Sequence, residues 1–277
     1  HLSDYGIAVP PFELSSSHNW KNVRRFGIPC VQKHCTGGYD GRSVHIIRSE
    51  SNWENRLSGK SFIERFIPCF MEIAVMVVKG RRGQLVAYDP VEMVMDESGH
   101  VLDKLIAPAR ISTDERDAAT ELAVETAESF STPGIFGVEM FLDTDKFLWV
   151  NEVAPRTHNS GHHTIEACDT SQFENQIRML FDLELGSSRL LKNAVTVNLI
   201  GNEGECGNTD ISGLTKSLQQ FDIHLHLYGK KECRPGRKMG HITCLNEQLD
   251  IAINRSLVIQ ETIRSKGLIG LQNFSLK

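Results

Sequence analysis

Short β-branched, apolar runs alternate along the chain with Gly-rich breaks. Residues 28–33, 61–64, 72–78 and 85–88 are such runs, and each predicts a strand. Gly80-Arg81-Arg82-Gly83 supplies a turn between the last two. Ser112 and Glu115 form a capping-box pattern that opens a helix to about Phe130, with Ala118, Leu122 and Ala123 on one face. Residues 137–142 and 147–153 predict a hairpin around 143–146. From Thr170 onward, Phe173, Ile177, Leu180 and Phe181 recur at helical spacing. After the linker-like Gly186-Ser187-Ser188 come strands at 194–200, 224–228 and 241–245, then a helix over 249–265. Hairpin-length connections dominate, which predicts an α+β fold with mostly antiparallel strands. The same breaks divide the chain into 1–88, 89–188 and a β-rich 189–277.

The hairpin carries the first candidate chemistry. Pairing Leu142 with Phe147 places Glu139 opposite Val150, so Glu152, two residues on, shares a face with Glu139. Their backbones would then be diagonal neighbours, roughly 7–8 Å apart. Two buried carboxylates on one face repel unless a cation lies between them. Magnesium, held by one or two carboxylates and completed by nucleotide phosphates, suits such a pair. Either glutamate alone would read more simply as a solvated strand residue.

Three other segments carry polar chemistry. Lys33 closes a strand ahead of Thr36-Gly37-Gly38-Tyr39-Asp40-Gly41-Arg42, a loop able to bring backbone N–H groups to a phosphate. It is not a G-x-x-x-x-G-K-[ST] loop, and by itself it reads equally as a turn. Residues 151–163 crowd Arg156, His158, Asn159, Ser160, His162 and His163 into one loop, a density that suits an anionic substrate. Zinc ligation by His158, His162, His163 and Glu166 is the competing reading, opposed by Ser160 and Gly161 where a helix would be needed. Lys230, Lys231, Arg234, Arg237 and Lys238 place five cations in nine residues, either a solvated run or a phosphate pocket.

Composition narrows the field. The 277 residues carry a formal net charge of −5, which argues against non-specific nucleic-acid or anionic-membrane binding. No apolar run approaches the roughly 20 residues that span a bilayer. Seven scattered cysteines without a C-x-x-C pair suggest neither a disulfide framework nor a cysteine zinc site, and fit a reducing, cytoplasmic setting.

Taken in order, Lys33 with residues 36–42, Val138-Glu139-Met140-Phe141, the run from Val150 to Thr164, Thr170-Ser171-Gln172-Phe173-Glu174, Val197-Asn198-Leu199-Ile200-Gly201 and Arg234-Pro235-Gly236-Arg237-Lys238-Met239-Gly240-His241 resemble the 5-(carboxyamino)imidazole ribonucleotide synthases. These are ATP-grasp enzymes, and the likeness covers nearly the whole chain. It implies an ATP-grasp fold, two α+β subdomains sandwiching ATP, with a small C-terminal β-rich domain. The implied reaction phosphorylates bicarbonate with ATP and carboxylates the amine of 5-aminoimidazole ribonucleotide. By the same likeness Lys33, Glu64, Ile67, Glu72 and Asn151 would bind the nucleotide, and Glu139 and Glu152 would bind Mg2+, two ions in all. Strict alternation turns Asn151 to the opposite face, so its role needs a bulge there. Tyr39, Asp40, Arg156 and His158 would be catalytic. Asn159, Ser160, Lys230, Lys231 and Arg237 would bind substrate. A homodimer is implied too, with small-molecule partners only.

Two departures accompany the likeness. Ser43 stands where the family has glycine, which would strain a position of positive φ. The family also has a preceding nucleotide-fold domain, and this chain starts just after its place. The chain alone is therefore expected to bind nucleotide but turn over weakly. The rival readings are another ATP-grasp carboxylate–amine ligase and a non-catalytic nucleotide-binding module.

Overall fold

The computed structural model describes residues 1–15, 19–37, 43–95, 102–202, 204, 206–208, 214, 218–219, 222–266 and 268. A four-stranded antiparallel sheet comes first. Its strands are β1 (Phe12–Ser15), β2 (Cys30–His34), β3 (Val44–Ile47) and β4 (Ser61–Arg65), in the order β1-β4-β2-β3. Helices α1 (Trp20–Phe26) and α2 (Glu50–Glu54) cover it, and Val23, Cys30, Ile47, Trp53 and Ile63 form its small core. Asn19 and Ser49 cap the two helices by accepting backbone N–H bonds.

The second sheet has nine strands: β5 (Cys69–Lys79), β6 (Leu85–Ala87), β7 (Val91–Met95), β8 (Leu102–Ala107), β9 (Gly134–Asp143), β10 (Leu148–Ala154), β11 (Asn193–Ile200), β13 (Ile223–Leu227) and β15 (Lys238–Asn246). Its order is β10-β9-β5-β7-β8-β11-β15-β13, with β6 pairing β5. Every ladder in both sheets is antiparallel, as the short connections predict. The pair β12 (Gly207–Asn208) and β14 (Glu232–Cys233) stands beside it. The large sheet takes strands from both sides of positions 88 and 188.

Side-chain alternation gives this sheet two working faces. On one, Ile73, Val75 and Val77 of β5 and Val138, Met140 and Leu142 of β9 meet Ala119, Ala123 and Ala127 of α3 (Thr113–Ser129). The small alanines let the helix lie close on a β-branched surface. Ser112 and Glu115 form the expected capping box, worth about 1 kcal/mol. Ala118, however, is exposed. The buried face begins one residue later, at Ala119, with Leu122 half-buried.

The opposite face carries Glu72, Ala74 and Met76 of β5 and Gly137 and Glu139 of β9, paired Ala74 to Glu139 and Met76 to Gly137. Helix α5 (Gln172–Leu180) packs here, after the short α4 (Thr164–Ala167). Its orientation reverses the sequence expectation. Phe173, Ile177, Leu180 and Phe181 are exposed, while Gln172 and Asn175 are fully buried. Buried polar groups outweigh the apolar stripe because each is hydrogen-bonded: Asn175 donates to the Tyr88 hydroxyl at 2.8 Å and accepts from the Gly186 N–H at 2.7 Å. The last helix, α6 (Leu249–Lys266), packs Ala252, Ile259 and Ile263 against β11 and β15.

Candidate active site

The hairpin register departs from the even loop inferred above. Leu142 pairs with Leu148 and Met140 with Val150, and then the ladder slips so that Glu152 lies directly opposite Glu139. Asn151 is the extra residue of a β-bulge. A loop one residue longer than inferred would alone have put Glu152 on the wrong face. The bulge restores it and brings the carboxylates closer than the diagonal placement. Glu152 is exposed, against the expectation that both are buried, so solvent screens part of the repulsion.

The same bulge turns Asn151 toward Lys33. Its Oδ1 accepts from Lys33 Nζ at 2.8 Å, and Glu64 Oε1 lies 2.6 Å from the same ammonium. Lys33 reaches there from the end of β2, and Glu64 from neighbouring β4. The small sheet is thereby tied through one cation to the edge of the large one. Ile67 is buried in the link between β4 and β5. Glu72, on β5, has its carboxyl range raised by burial and lowered by the charge of Lys33. Burial likewise raises Glu64, against the opposing pull of Lys33. Glu139 is pushed up to about 8, by burial first and then by the charges of Glu152 and Glu72, with Lys238 and Lys33 pulling it down. A carboxyl held this high is short of positive charge.

His158 presents Nε2 to Glu139 Oε1 at 3.5 Å. Burial, followed by the charges of Arg156 and Lys238, lowers the imidazole to about 4, so this contact is made by a neutral ring. Its Nδ1 meets Ser160 Oγ at 3.0 Å. Ser160 itself is completely buried, with its hydroxyl also against Met76 Sδ, so it orients His158 where a substrate contact was expected. Gln172 completes the support. Its side chain accepts from His158 N at 3.0 Å and donates to His158 O at 2.7 Å. Sequence reading missed Gln172, because an apolar stripe on α5 drew attention to the wrong side.

Close packing fixes this loop on the sheet. A Cβ on Gly137 would come within 2.9 Å of His158 Cβ and 3.3 Å of Met76 Sδ. Gly137→Ala is expected to destabilise the protein by about 1–3 kcal/mol and to move His158 away from Glu139. Chemical denaturation together with a turnover assay checks both effects.

The remaining candidates separate. Arg156 is exposed and donates to its neighbour's carbonyl, Thr157 O, at 3.0 Å. Asn159 keeps a buried Oδ1 without a hydrogen-bond partner. Lys230 donates to Lys238 O at 2.5 Å, Arg237 donates to Glu232 O at 3.0 Å, and Lys231 is exposed. Tyr39 and Asp40 lie outside the described residues, as do Gly38, Gly41 and Arg42. Ser43 O accepts from His34 N at 3.1 Å, which prolongs the β2–β3 ladder to the mouth of that loop.

Lys238 is the cation that sequence reading undervalued, since its charge acts on Glu139, His158 and His162 together. The zinc alternative dissolves by geometry. His158 turns to Glu139, His162 stacks on His241, and Glu166 pairs with His226. Among the described residues no group of three or more His, Cys, Asp or Glu side chains converges to hold a metal. The Glu139–Glu152 pair is of the other kind, two hard oxygen donors that leave most of a coordination sphere to a ligand's oxygens.

Comparison with known proteins fits this arrangement. The model of the ATP-grasp domain matches residues 1–173, and that of the phosphoribosylaminoimidazole carboxylase C-terminal domain matches residues 194–255. N5-carboxyaminoimidazole ribonucleotide synthase of Bacillus subtilis is 36% identical over 255 residues, covering 90% of this chain and 65% of that protein. The crystal structure of the Thermotoga maritima synthetase superposes with a TM-score of 0.86 at 43% identity, over 94% of this chain and 69% of the other. The Aspergillus clavatus synthase, crystallised with ADP and 5-aminoimidazole ribonucleotide, superposes at 0.84 with 30% identity, over 95% of this chain and 70% of its own. The chain thus spans about two thirds of the length of these relatives.

Proposed function

The chain belongs to the ATP-grasp family, among the N5-carboxyaminoimidazole ribonucleotide synthases, and on that premise we propose that it carboxylates 5-aminoimidazole ribonucleotide with bicarbonate at the expense of ATP. The observation that carries the reading is the bulged hairpin. It sets Glu139 against Glu152 and at the same time gives Asn151 to Lys33. One bulge thereby sets the two carboxylates that would hold a dication face to face and orders the lysine that would meet a phosphate.

In this reading a bicarbonate oxygen attacks the γ-phosphorus of ATP and ADP leaves, forming carboxyphosphate. The exocyclic amine then bonds to the carboxyl carbon, either of carboxyphosphate or of the CO2 it releases. Phosphate departs and the amine loses a proton. Phosphoryl transfer of this kind asks for positioning and charge neutralisation more than for a nucleophilic side chain. Lys33 would hold the nucleotide phosphates, with Glu64, Ile67 and Glu72 placing the nucleoside. Glu139 and Glu152 would hold Mg2+, two ions in all, which would supply charge neutralisation for the transferring phosphoryl group. His158, neutral and fixed by Ser160 and Gln172, would hydrogen-bond the bicarbonate-derived group. Arg156 would swing from its exposed position onto the transferring charge. Tyr39, Asp40 and Asn159 would line the same pocket, and Lys230 or Lys231 with Arg237 would take the ribonucleotide phosphate.

The test is substrate dependence. ADP release is expected to require both bicarbonate and 5-aminoimidazole ribonucleotide, with radiolabelled bicarbonate appearing in an acid-labile carbamate. Release driven by an amino acid or by formate would identify a different carboxylate–amine ligase. Nucleotide binding without release under any pairing would identify a binding module.

A further inference from the structure

A column of aromatic rings starts one short turn past His158 and takes no part in the reading above. His162 lies within the substrate loop, while His226, Tyr228 and His241 come from β13, its end and β15. The His162 and His241 rings stack at 4.3 Å and 15°, and His241 and His226 at 4.5 Å and 17°. Phe173 lies near His162 as well, with ring centroids 6.1 Å apart at 19°. Stacked face to face, these imidazoles do not converge on a metal. At the far end, His226 Nε2 pairs with Glu166 Oε1.

The hydrogen bonds of the column are shared unequally. The Tyr228 hydroxyl is 2.9 Å from His241 Nδ1 and 3.3 Å from His162 Nδ1. A phenol has one proton, so both bonds form only if one imidazole donates from Nδ1 while the other accepts there. Burial keeps the phenol protonated by pushing it up to about 12. Burial also holds His162 down at about 4 and His241 at about 3, each further lowered by neighbouring imidazoles, so both rings are neutral.

The choice between the two arrangements is decided at His241 Nε2. This atom is buried and has no hydrogen-bond partner. An orphaned buried N–H costs more than a bare lone pair, and unsatisfied donors are the rarer of the two in folded proteins. The proton of His241 therefore sits on Nδ1 and is donated to Tyr228. The Tyr228 O–H is donated to His162 Nδ1, and His162 carries its own proton on Nε2. His241 covers one face of the half-buried His162 ring and Tyr228 holds its Nδ1 edge, which leaves the Nε2 edge for a ligand. His158 and His162 flank one short turn, Asn159–Gly161, and His158 reaches Glu139 at 3.5 Å, so the same turn carries His162 on the side of the carboxylate pair.

We propose that Tyr228 and His241 fix the tautomer of His162, so that His162 offers a neutral Nε2–H to an anionic oxygen of the substrate in the cleft. His162 is then a substrate-binding residue, and Tyr228 and His241 are positioning residues that act through it. The assignment of the anion rests on the function proposed above, whereas the tautomer does not. The oxygen belongs either to a phosphate or to bicarbonate.

Nitrogen-15 NMR of the full-length protein, with His162 assigned by substitution, reads the tautomer directly. His162 is expected to show a protonated Nε2 and a bare Nδ1 in the free protein. Tyr228→Phe is expected to mix the two forms. Inorganic phosphate and bicarbonate, titrated separately, distinguish the sources, since the true one shifts the Nε2–H resonance. In turnover, His162→Ala is expected to raise the KM of that one substrate about 10- to 100-fold with a smaller change in kcat. His162→Gln, which keeps a donor, is expected to recover most of the loss. A His162 protonated on Nδ1, or an Nε2–H that neither anion shifts, overturns the proposal. The tautomer measured this way stands even if the wild-type protein proves to catalyse some other ligation.

Discussion

Glu139→Gln is expected to lower ATP-dependent turnover by about 100- to 1000-fold while making the ligand-free protein more heat-resistant at pH 9. The two effects share a cause. Glu139 lies mostly buried, and burial with the charges of Glu152 and Glu72 pushes its carboxyl up to about 8. For a group whose pKa is raised on folding, the stabilising contribution is complete below its ordinary range, near 4.5, and is lost as pH rises through about 8. The ligand-free protein therefore weakens across that window as a buried carboxylate is forced to ionise. Glutamine has the same shape and does not ionise, so it escapes the loss.

Turnover moves the other way. A bound dication with its nucleotide draws on the ionised form, and an amide ligand is a poorer match for Mg2+ than a carboxylate. Melting curves at pH 6 and pH 9, with and without Mg-ADP, separate these contributions. At pH 9 the variant should melt above the wild type without ligand, and each kcal/mol of relief is worth roughly 2–4 °C. Mg-ADP should stabilise the wild type far more than the variant. A variant that melts below the wild type at pH 9 would show that Glu139 is not held in a charge-poor site.

The distance between sequence and structure is clearest at this same hairpin. Alternation and an approximate turn were enough to bring Glu139 and Glu152 onto one face, but the loop length was misjudged by one residue. A bulge at Asn151 made up the difference. Bulges are set by what the extra side chain can reach, here the Lys33 ammonium 118 positions earlier in the chain, and no local pattern encodes that. Helix α5 shows the opposite failure. Its apolar stripe is a strong periodic signal, yet Gln172 and Asn175 face inward because specific tertiary partners receive them. The capping box of α3 was readable because Ser112 and Glu115 satisfy each other within one turn. Lys238 and the histidine column were not, since their meaning lies in which strands the sheet order sets side by side.

Lys33→Met is expected to weaken nucleotide binding about 10- to 100-fold, the loss that attends removal of one charge-assisted hydrogen-bond donor. Lys33 is gripped before any ligand arrives, 2.6 Å from Glu64 and 2.8 Å from Asn151. That grip fixes the long side chain in advance, so binding would not have to immobilise it, and a phosphate would meet an ordered cation. Methionine keeps the volume and removes the charge. Glu64, already raised by burial and eased only by Lys33, would then rise further. The variant should accordingly stay folded while its affinity for ADP falls, and calorimetric titration measures the fall directly. Lys33→Arg should not restore affinity fully, because a planar guanidinium cannot copy an ammonium that serves a carboxylate and an amide and would meet a phosphate from a third direction. Lys192→Met provides the control, since that lysine pairs with Asp222 at 3.5 Å and is partly exposed. Equal ADP affinity in the Lys33→Met and Lys192→Met proteins would remove Lys33 from the nucleotide site and, with it, the reason for the bulge that carries Asn151.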